Sequence, residues 1–186
     1  MSCPSYLLAF ARRSIIVLPL LGLCVFYTGC EKTNETAEQA SATSKSVTLA
    51  AGKSLIFAPA NDFEGIQEAV NATMSRTGDG LKIHALNDDP QIILPILEGV
   101  TPGNKVTVHV QLVSPEATEF QIFYGTSAVG GFDGPHSVKK PIQKGDNDVV
   151  VEFTEPDFTG RIRLDPGIVP GDYILKLVEI RSSPAH

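Results

Sequence analysis

The sequence has no tryptophan and only three cysteines among its 186 residues. The cysteines are Cys3, Cys24 and Cys30, so the chain after Cys30 has no thiol for a disulfide framework or a cysteine-based metal site. Its stability must come from an apolar core, and a region of about 135 residues is large enough to bury one. The lack of tryptophan also removes the strongest aromatic stacking surface that a sugar-binding site could use.

Basic side chains are scarcer than acidic ones, with 15 Lys and Arg against 21 Asp and Glu. Residues 1–29 contain two of the arginines and none of the acidic residues. Without that segment, 13 basic residues stand against the same 21 acidic ones, a formal charge of −8. Phosphate binding needs clustered Lys and Arg. The composition therefore predicts that nucleic acid is not a partner.

Catalytic motifs are also missing. His84, His109 and His136 do not have the spacing of a zinc-binding helix, and there is no G-x-S-x-G segment or glycine-rich loop that opens a helix. Glu152 and Glu179 could form a glycosidase pair only if they faced one cleft, and no motif in the sequence places them there. We therefore predict that the protein is not an enzyme.

The N-terminal segment has the features of an export signal. A pair of arginines precedes an apolar run over residues 14–26, and the small residues Thr28 and Gly29 precede Cys30. The run is shorter than the roughly 20 residues of a membrane-spanning helix, and a proline and a glycine interrupt it. The pattern favours a signal peptide over residues 1–29 rather than a transmembrane anchor.

The end of this segment, Tyr27-Thr28-Gly29-Cys30, resembles the lipobox of bacterial lipoproteins. The resemblance implies cleavage after Gly29 and attachment of lipid to Cys30, which would then anchor the protein in the membrane of the cell envelope. Glu31 rather than aspartate follows the cysteine, which by the same resemblance implies the outer membrane.

Residues 31–46 are rich in Ser, Thr, Ala and Glu and contain no large apolar side chain. Such a segment cannot bury enough apolar surface to offset the entropy of ordering. The lipidated cysteine and a disordered tether are therefore predicted over 30–46. The folded domain is expected over 47–181, and a disordered tail over 182–186.

From position 47 onwards, short runs rich in β-branched and aromatic residues alternate with turn residues. The predicted strands are 54–58, 81–86, 91–94, 106–112, 119–124, 149–153, 160–165 and 173–180. Many short strands separated by regular turn signals indicate an all-β sandwich or barrel. Residues 62–70 are predicted to form a short helix or an irregular crossover, because Asn61 and Glu64 mimic a capping box.

Alternation along the strands predicts which side chains are buried, because successive residues of a strand point to opposite faces. The predicted core consists of Val108, Val110, Phe120, Ile122, Ile162, Leu164 and Leu177. The alternate positions are polar and are expected to form a solvated face, as is usual for an antiparallel sheet.

Three segments together resemble the galactose-binding-like jelly rolls, which include carbohydrate-binding modules. They are Asp88–Pro95, Gln121–Thr126 and Leu164–Ile174. The resemblance implies a jelly-roll β-sandwich of about eight or more antiparallel strands. It implies a non-catalytic domain that binds a carbohydrate or glycoconjugate.

The polar strand positions suit a sugar, because they combine hydrogen-bonding groups with an aromatic ring. If the strands share one sheet, the ligand-binding face carries Thr107, His109, Gln111, Gln121, Phe123 and Arg163. Phe132, in a glycine-rich loop, is a further candidate. An ordinary solvated face, and a ring tucked under its own loop, are the plainer interpretations.

Such jelly rolls often hold a structural calcium, and no other cofactor is expected. The resemblance makes Asp88, Asp89 and Asp165 candidate ligands, since carboxylate oxygens bind calcium. The alternative is turn chemistry, in which an aspartate next to Pro or Gly accepts backbone amides.

Two functions therefore remain from sequence. The first is an envelope-anchored carbohydrate-binding module. The alternative is a structural or assembly lipoprotein that contacts another envelope protein. A glycan hydrolase or lyase is least favoured.

Overall fold

The computed structural model describes residues 46–50, 52–68 and 70–185. The predicted signal peptide, Cys30 and all of the predicted tether except Ser46 lie outside the described residues. Within the described ranges the only helical turns are two 3-10 turns, Pro59–Asn61 and Gly134–His136. No helix among these residues is long and apolar enough to cross a membrane.

The described residues form thirteen strands. They are β1 (Ser46–Thr48), β2 (Ser54–Phe57), β3 (Gln67–Glu68), β4 (Ala72–Thr77), β5 (Gly80–Ala85), β6 (Ile92–Ile93), β7 (Ile96–Glu98), β8 (Lys105–Ser114), β9 (Thr118–Thr126), β10 (Ser137–Ile142), β11 (Gly145–Thr154), β12 (Phe158–Asp165) and β13 (Gly171–Ser183).

Two antiparallel sheets make up the domain, and a short parallel pair of β1 with β7 stands beside them. The five-stranded sheet has the order β10-β9-β12-β6-β3. The six-stranded sheet has the order β11-β8-β13-β5-β4, with β2 pairing along β13. The predicted jelly-roll β-sandwich is confirmed.

The core lies between the inner faces of the two sheets. Along β8 buried and partly exposed residues alternate without a break, as a strand with one covered face requires. Val108 and Val110 of the six-stranded sheet and Ile122 and Leu164 of the five-stranded sheet belong to one buried cluster. At one end, rings from the two sheets stack in parallel, those of Tyr124 on β9 and Phe153 on β11, with centroids 4.3 Å apart.

Leu177 was predicted in the core, and this prediction is wrong. The register between β13 and β8 shifts between Leu175 and Leu177, so that Leu177 pairs with Gln111 and is only partly buried. After the shift Val178 and Ile180 occupy the buried positions. A bulge of this kind reverses which residues face the core.

The helix alternative for residues 62–70 is also wrong: residues 62–66 form an irregular crossover that leads into β3. Asp62 and Phe63 have positive φ angles of 54° and 50°, which a right-handed helix does not allow. The Asn61 side chain accepts the backbone N–H of Ala58 at 2.9 Å, so it closes the preceding turn. This backbone path places Phe63 in the core.

The ends of the domain differ from the predicted boundaries by one or two residues. Ser46 belongs to β1, where it pairs with Ile96 of β7. At the other end Ser182 and Ser183 pair with β8, so these two residues belong to the sheet rather than to the predicted tail over 182–186.

Candidate functional site

The predicted ligand-binding residues are divided between two outer faces. Strand β8 pairs with β11 and β13, whereas β9 pairs with β10 and β12. The expectation that these strands share one sheet is therefore wrong. One set lies on the outer face of the six-stranded sheet and consists of Thr107, His109 and Gln111. The other lies on the outer face of the five-stranded sheet and consists of Gln121, Phe123 and Arg163.

On the five-stranded sheet, Phe123 and Arg163 are direct cross-strand partners. The Arg163 guanidinium lies over the Phe123 ring, with its central carbon 4.5 Å from the ring centroid. This distance is within the range of a cation–π contact. The pair therefore places a charged group against an aromatic ring on this outer face.

Arg163 is also held by two carboxylates. Its Nε and Nη2 donate to the two carboxylate oxygens of Asp165 at 2.7 and 2.6 Å, and Nη2 also donates to Asp89 at 2.7 Å. The Arg163 side chain is only 13% exposed. A bidentate pair of this kind fixes the orientation of the guanidinium. Arg163 therefore positions Phe123 and has little capacity left for a ligand.

Burial raises the pKa of Asp165 above its ordinary value. The hydrogen bonds and the positive charge of Arg163 lower this pKa, and the nearby charge of Asp89 raises it again. The net direction is upward, because removing a carboxylate from water disfavours its charged form. Asp165 thus depends on Arg163 to remain ionised.

The three predicted calcium ligands are not gathered into one cluster of carboxylates. Asp89 and Asp165 both bind the Arg163 guanidinium, while Asp88 lies exposed in the loop before β6. Within the described part of the chain, no group of three or more acidic, histidine or cysteine side chains is arranged to hold a metal ion. Two of the three carboxylates therefore bind the arginine in this structure, and calcium binding stays a prediction.

Gln121 extends the same face along β9. It pairs with Lys139 of β10, and its Nε2 donates to the Ser137 hydroxyl at 2.9 Å. The Lys139 ammonium in turn pairs with Glu119 at 2.7 Å. The amide oxygen of Gln121 and the second N–H of its amide group add hydrogen-bonding capacity next to the ring of Phe123.

Phe132 lies at the other end of this face, in the loop between β9 and β10. Its ring lies under the guanidinium of Arg161, 5.2 Å from ring centroid to the guanidinium carbon. Arg161 Nη1 donates to the Gly130 carbonyl oxygen at 3.2 Å. Arg161 was not among the predicted site residues, although the alternation of β12 places it on the same face as Arg163.

Gly125 makes room for Arg161. A Cβ atom at this glycine would lie 3.0 Å from the Arg161 Cβ and 2.9 Å from the Thr159 hydroxyl, which is too close for either neighbour to keep its place. The Arg161 side chain can therefore cross the sheet at this point and reach Phe132. These contacts define what we call the aromatic face: Gln121, Phe123, Phe132, Arg161 and Arg163.

The outer face of the six-stranded sheet has a different chemistry. His109 Nε2 lies 2.7 Å from a carboxylate oxygen of Asp148, and its Nδ1 lies 3.7 Å from Glu179. Gln111 donates to the other oxygen of Asp148 at 3.1 Å, and Thr107 donates to Glu152 at 3.1 Å. The predicted ligand-binding groups of this face are therefore already bound to neighbouring carboxylates.

The pKa values on this face follow from these contacts. Hydrogen bonds from Gln111 and then from His109 lower the pKa of Asp148. The hydrogen bond from Arg181 lowers the pKa of Glu179. A shallow depression lies beside Thr107, His109 and Glu179, but the cross-strand partners on this face include no phenylalanine or tyrosine among the described residues.

No protein family model and no curated protein sequence matches the chain. Solved structures match it in fold. Two single-residue variants of a family 29 carbohydrate binding module are 14% identical to it, with TM-scores of 0.51 and 0.50, and each match covers 71% of this chain and 93% of the other. A low-affinity xylan binding module from Roseburia intestinalis is 11% identical, with a TM-score of 0.48, and covers 71% and 97%. At this identity the family 29 likeness shows the fold.

Proposed function

We propose that the protein is a non-catalytic carbohydrate-binding module and that the aromatic face is its ligand-binding surface. One observation carries the proposal. Phe123 and Phe132 are partly exposed on the same outer face, each with a guanidinium over its ring. Gln121 adds amide groups beside them. Sugars present C–H surfaces together with hydroxyl groups, and this combination of side chains complements both.

The fold supports the same function. The two structures with TM-scores of 0.50 and above are named as carbohydrate binding modules. Fold alone does not determine function, and the side chains of the aromatic face supply the chemical support. Among the described residues the opposite face carries no comparable ring on its paired strands, and its polar groups are already paired with each other.

We further propose that lipid on Cys30 anchors the domain in the cell envelope and that the outer membrane is its destination. The sequence pattern before Cys30 supports this proposal, and residues 31–46 supply a tether. At an extended length of roughly 3.3–3.6 Å per residue, such a tether can hold the domain tens of ångströms from the lipid surface.

The alternative, an assembly protein that pairs through an open edge strand, has less support. β11 is an edge strand of ten residues, but Asp146, Asp148 and Glu152 stand along it. β10, one of the two edge strands of the other sheet, carries Lys139, Lys140 and Pro141. Charged residues and proline on an edge strand discourage pairing with another chain.

On the outer face of the six-stranded sheet, the exposed apolar side chains of the described residues do not form a docking patch either. Ile56 and Val150 are the large apolar side chains exposed on the outer face of the six-stranded sheet. In the register of the strands, His109 and Glu179 stand between them. Single exposed apolar residues are common on monomeric proteins and do not indicate an interface.

The test is a glycan array with the full-length protein, followed by titration calorimetry with the best ligand. Phe123→Ala and Gln121→Ala should each weaken binding, because they remove ring surface or an amide from the aromatic face. His109→Ala, on the opposite face, is the matched control and should bind as the unmodified protein does. Weak affinity is expected, since an open sheet face buries little of a ligand.

The opposite result would relocate the site. Loss of binding in His109→Ala with unchanged binding in both aromatic-face variants would place the ligand on the six-stranded sheet. A protein that binds no glycan on the array would contradict the proposed function and favour the assembly alternative.

A further inference from the structure

We propose that the aromatic face selects glycans that carry a carboxylate, such as those containing uronic acid residues, and that Arg161 binds this carboxylate. The inference rests on the proposed function, and it names the class of ligand. It follows from one property of Arg161, which is that it is a fixed guanidinium without an acidic partner.

The other described arginines are all neutralised. Arg76 pairs with Asp62 at 3.0 Å, Arg163 pairs with Asp89 and Asp165, and Arg181 pairs with Glu179. Within the described ranges, Arg161 has no carboxylate within salt-bridge distance. Its contacts are a ring and a backbone carbonyl oxygen, which leave its positive charge uncompensated.

The guanidinium of Arg161 is held in place before any ligand arrives. The ring of Phe132 lies 5.2 Å from its central carbon, and its Nη1 donates to the Gly130 carbonyl oxygen. A guanidinium has five N–H donors, so most of them stay free for a second acceptor. A group that is already oriented loses little entropy on binding, and its planar fork matches a carboxylate in two parallel hydrogen bonds.

The surroundings favour a single carboxylate over a densely charged polymer. Lys139, the nearest lysine along this face, pairs with Glu119, and Arg163 is occupied by two aspartates. Lys140 alternates to the other side of β10, where it pairs with Phe120 rather than with Gln121. Among the described residues of this face, Arg161 is therefore a single unpaired cation. It suits a ligand with isolated charges, because a highly sulfated chain needs a cluster of basic side chains.

The ring of Phe132 completes the subsite. It is partly exposed, and Phe123 follows on the same face beyond Gly125. A uronic acid residue bound at Arg161 can therefore rest near Phe132 while its neighbour in the chain reaches Phe123 and Gln121.

The experiment compares matched ligands on the full-length protein. The probes are oligosaccharides of galacturonate, of glucuronate-containing chains and of alginate, each with a partner whose carboxyl groups have been reduced to neutral alcohols. Titration calorimetry should show binding of at least one acidic probe that is about tenfold or more tighter than its reduced partner, as expected for one charge-assisted bidentate contact.

Three variants test the residue. Arg161→Gln should abolish the preference, so that the acidic probe binds no more tightly than its reduced partner. Arg161→Lys should retain only part of the preference, because an ammonium keeps the charge but loses the planar fork. Arg181→Gln, on the opposite face, should keep the full preference. The thermal midpoint of each variant shows whether the domain still folds. If Arg161→Gln does not fold, Arg161→Lys still tests the role of Arg161.

Several results would overturn the inference while the proposed function stands. They are equal affinity for every acidic probe and its reduced partner, binding of the reduced probes alone, or a full preference for the acidic probe in Arg161→Gln. Failure of the proposed function has a different signature, which is the absence of binding to any glycan, acidic or neutral.

Discussion

Replacement of Arg163 by alanine should destabilise the domain strongly, although this residue stands on an outer face. The change removes the partner of Asp165, whose residue surface is only 7% exposed. In the intact protein both carboxylate oxygens of Asp165 accept hydrogen bonds from Arg163. Without them a buried carboxylate has neither its counter-charge nor its donors.

The expected loss in the free energy of unfolding is about 3–5 kcal/mol, the usual cost of removing one partner from a buried ion pair. A polar residue on the outer face of a sheet is usually in contact with water, and its substitution would then have a mild effect. The 13% exposure of the Arg163 side chain shows why that estimate does not apply.

Arg181→Ala is the matched control. Arg181 donates through two nitrogen atoms to a carboxylate oxygen of Glu179, and it also lies on an outer face. Its side chain is 63% exposed. An ion pair in contact with water contributes only about 0–1 kcal/mol. The two arginines thus differ in burial while sharing residue type and partner type.

The pH dependence of Arg163→Ala follows from the raised pKa of Asp165. Loss of Arg163 removes the interactions that lower this pKa, so the pKa in the folded variant should rise further. An acid whose pKa is higher in the folded state binds its proton more tightly there, and stability falls as pH rises from the unfolded value, about 3.9, through the folded value. The destabilisation should therefore be full above the folded pKa and shrink as pH falls toward 3.9.

Urea unfolding of the intact protein and both variants, at neutral pH and at several acidic pH values, measures these differences. Arg163→Ala combined with Asp165→Ala should recover part of the lost stability, since the unpaired carboxylate is then gone. Equal losses of under about 1 kcal/mol in Arg163→Ala and Arg181→Ala would refute the reasoning. So would a loss in Arg163→Ala that does not shrink with falling pH.

Two further predictions concern the core and the anchor. Ile122→Ala should lower the free energy of unfolding by about 2–5 kcal/mol, because Ile122 is 0% exposed. Leu177→Ala should lower it clearly less, since Leu177 is only partly buried. Equal losses in urea unfolding would contradict the observed register. Cys30→Ser should abolish metabolic labelling with palmitate, because lipid attachment needs the thiol. It should also release the protein from membranes or trap an uncleaved precursor. Equal labelling of the unmodified protein and the variant would exclude lipid on Cys30.

Alternation of apolar and polar side chains predicted the fold class and most of the core. A strand with one covered face places apolar residues at every second position, so its sequence shows which face is buried. Val108, Val110, Phe120, Ile122, Ile162 and Leu164 are all buried as predicted. The strands that were not predicted lack this alternation. β4 has one buried residue, Ala72, and β10 carries Lys139, Lys140 and Pro141 at a sheet edge, where little apolar surface is covered.

The candidate site was harder to predict, because it depends on which strands are neighbours. Alternation placed His109 and Phe123 on polar faces, but sheet membership is set by pairing between distant segments, and these two residues lie on opposite sides of the sandwich. The bulge beside Leu177 could not be predicted from the sequence either, because it is a shift in the pairing of β13 with the distant strand β8. Arg161 reaches Phe132 only because Gly125 leaves space for its side chain. These three residues lie in different segments, so no local sequence pattern connects them.

The two outer faces differ in how fully their polar groups are satisfied, and this difference bears on the affinity that the protein needs. On the six-stranded sheet His109, Gln111 and Asp148 bind one another, whereas Arg161 on the aromatic face keeps free donors. A shallow face with one such group binds weakly by itself. If lipid on Cys30 holds many copies on one surface, a polymeric glycan can engage several at once, and the effective concentration of each later site is set by the tether. Weak binding at each site is then sufficient, and it also lets the polymer exchange between sites.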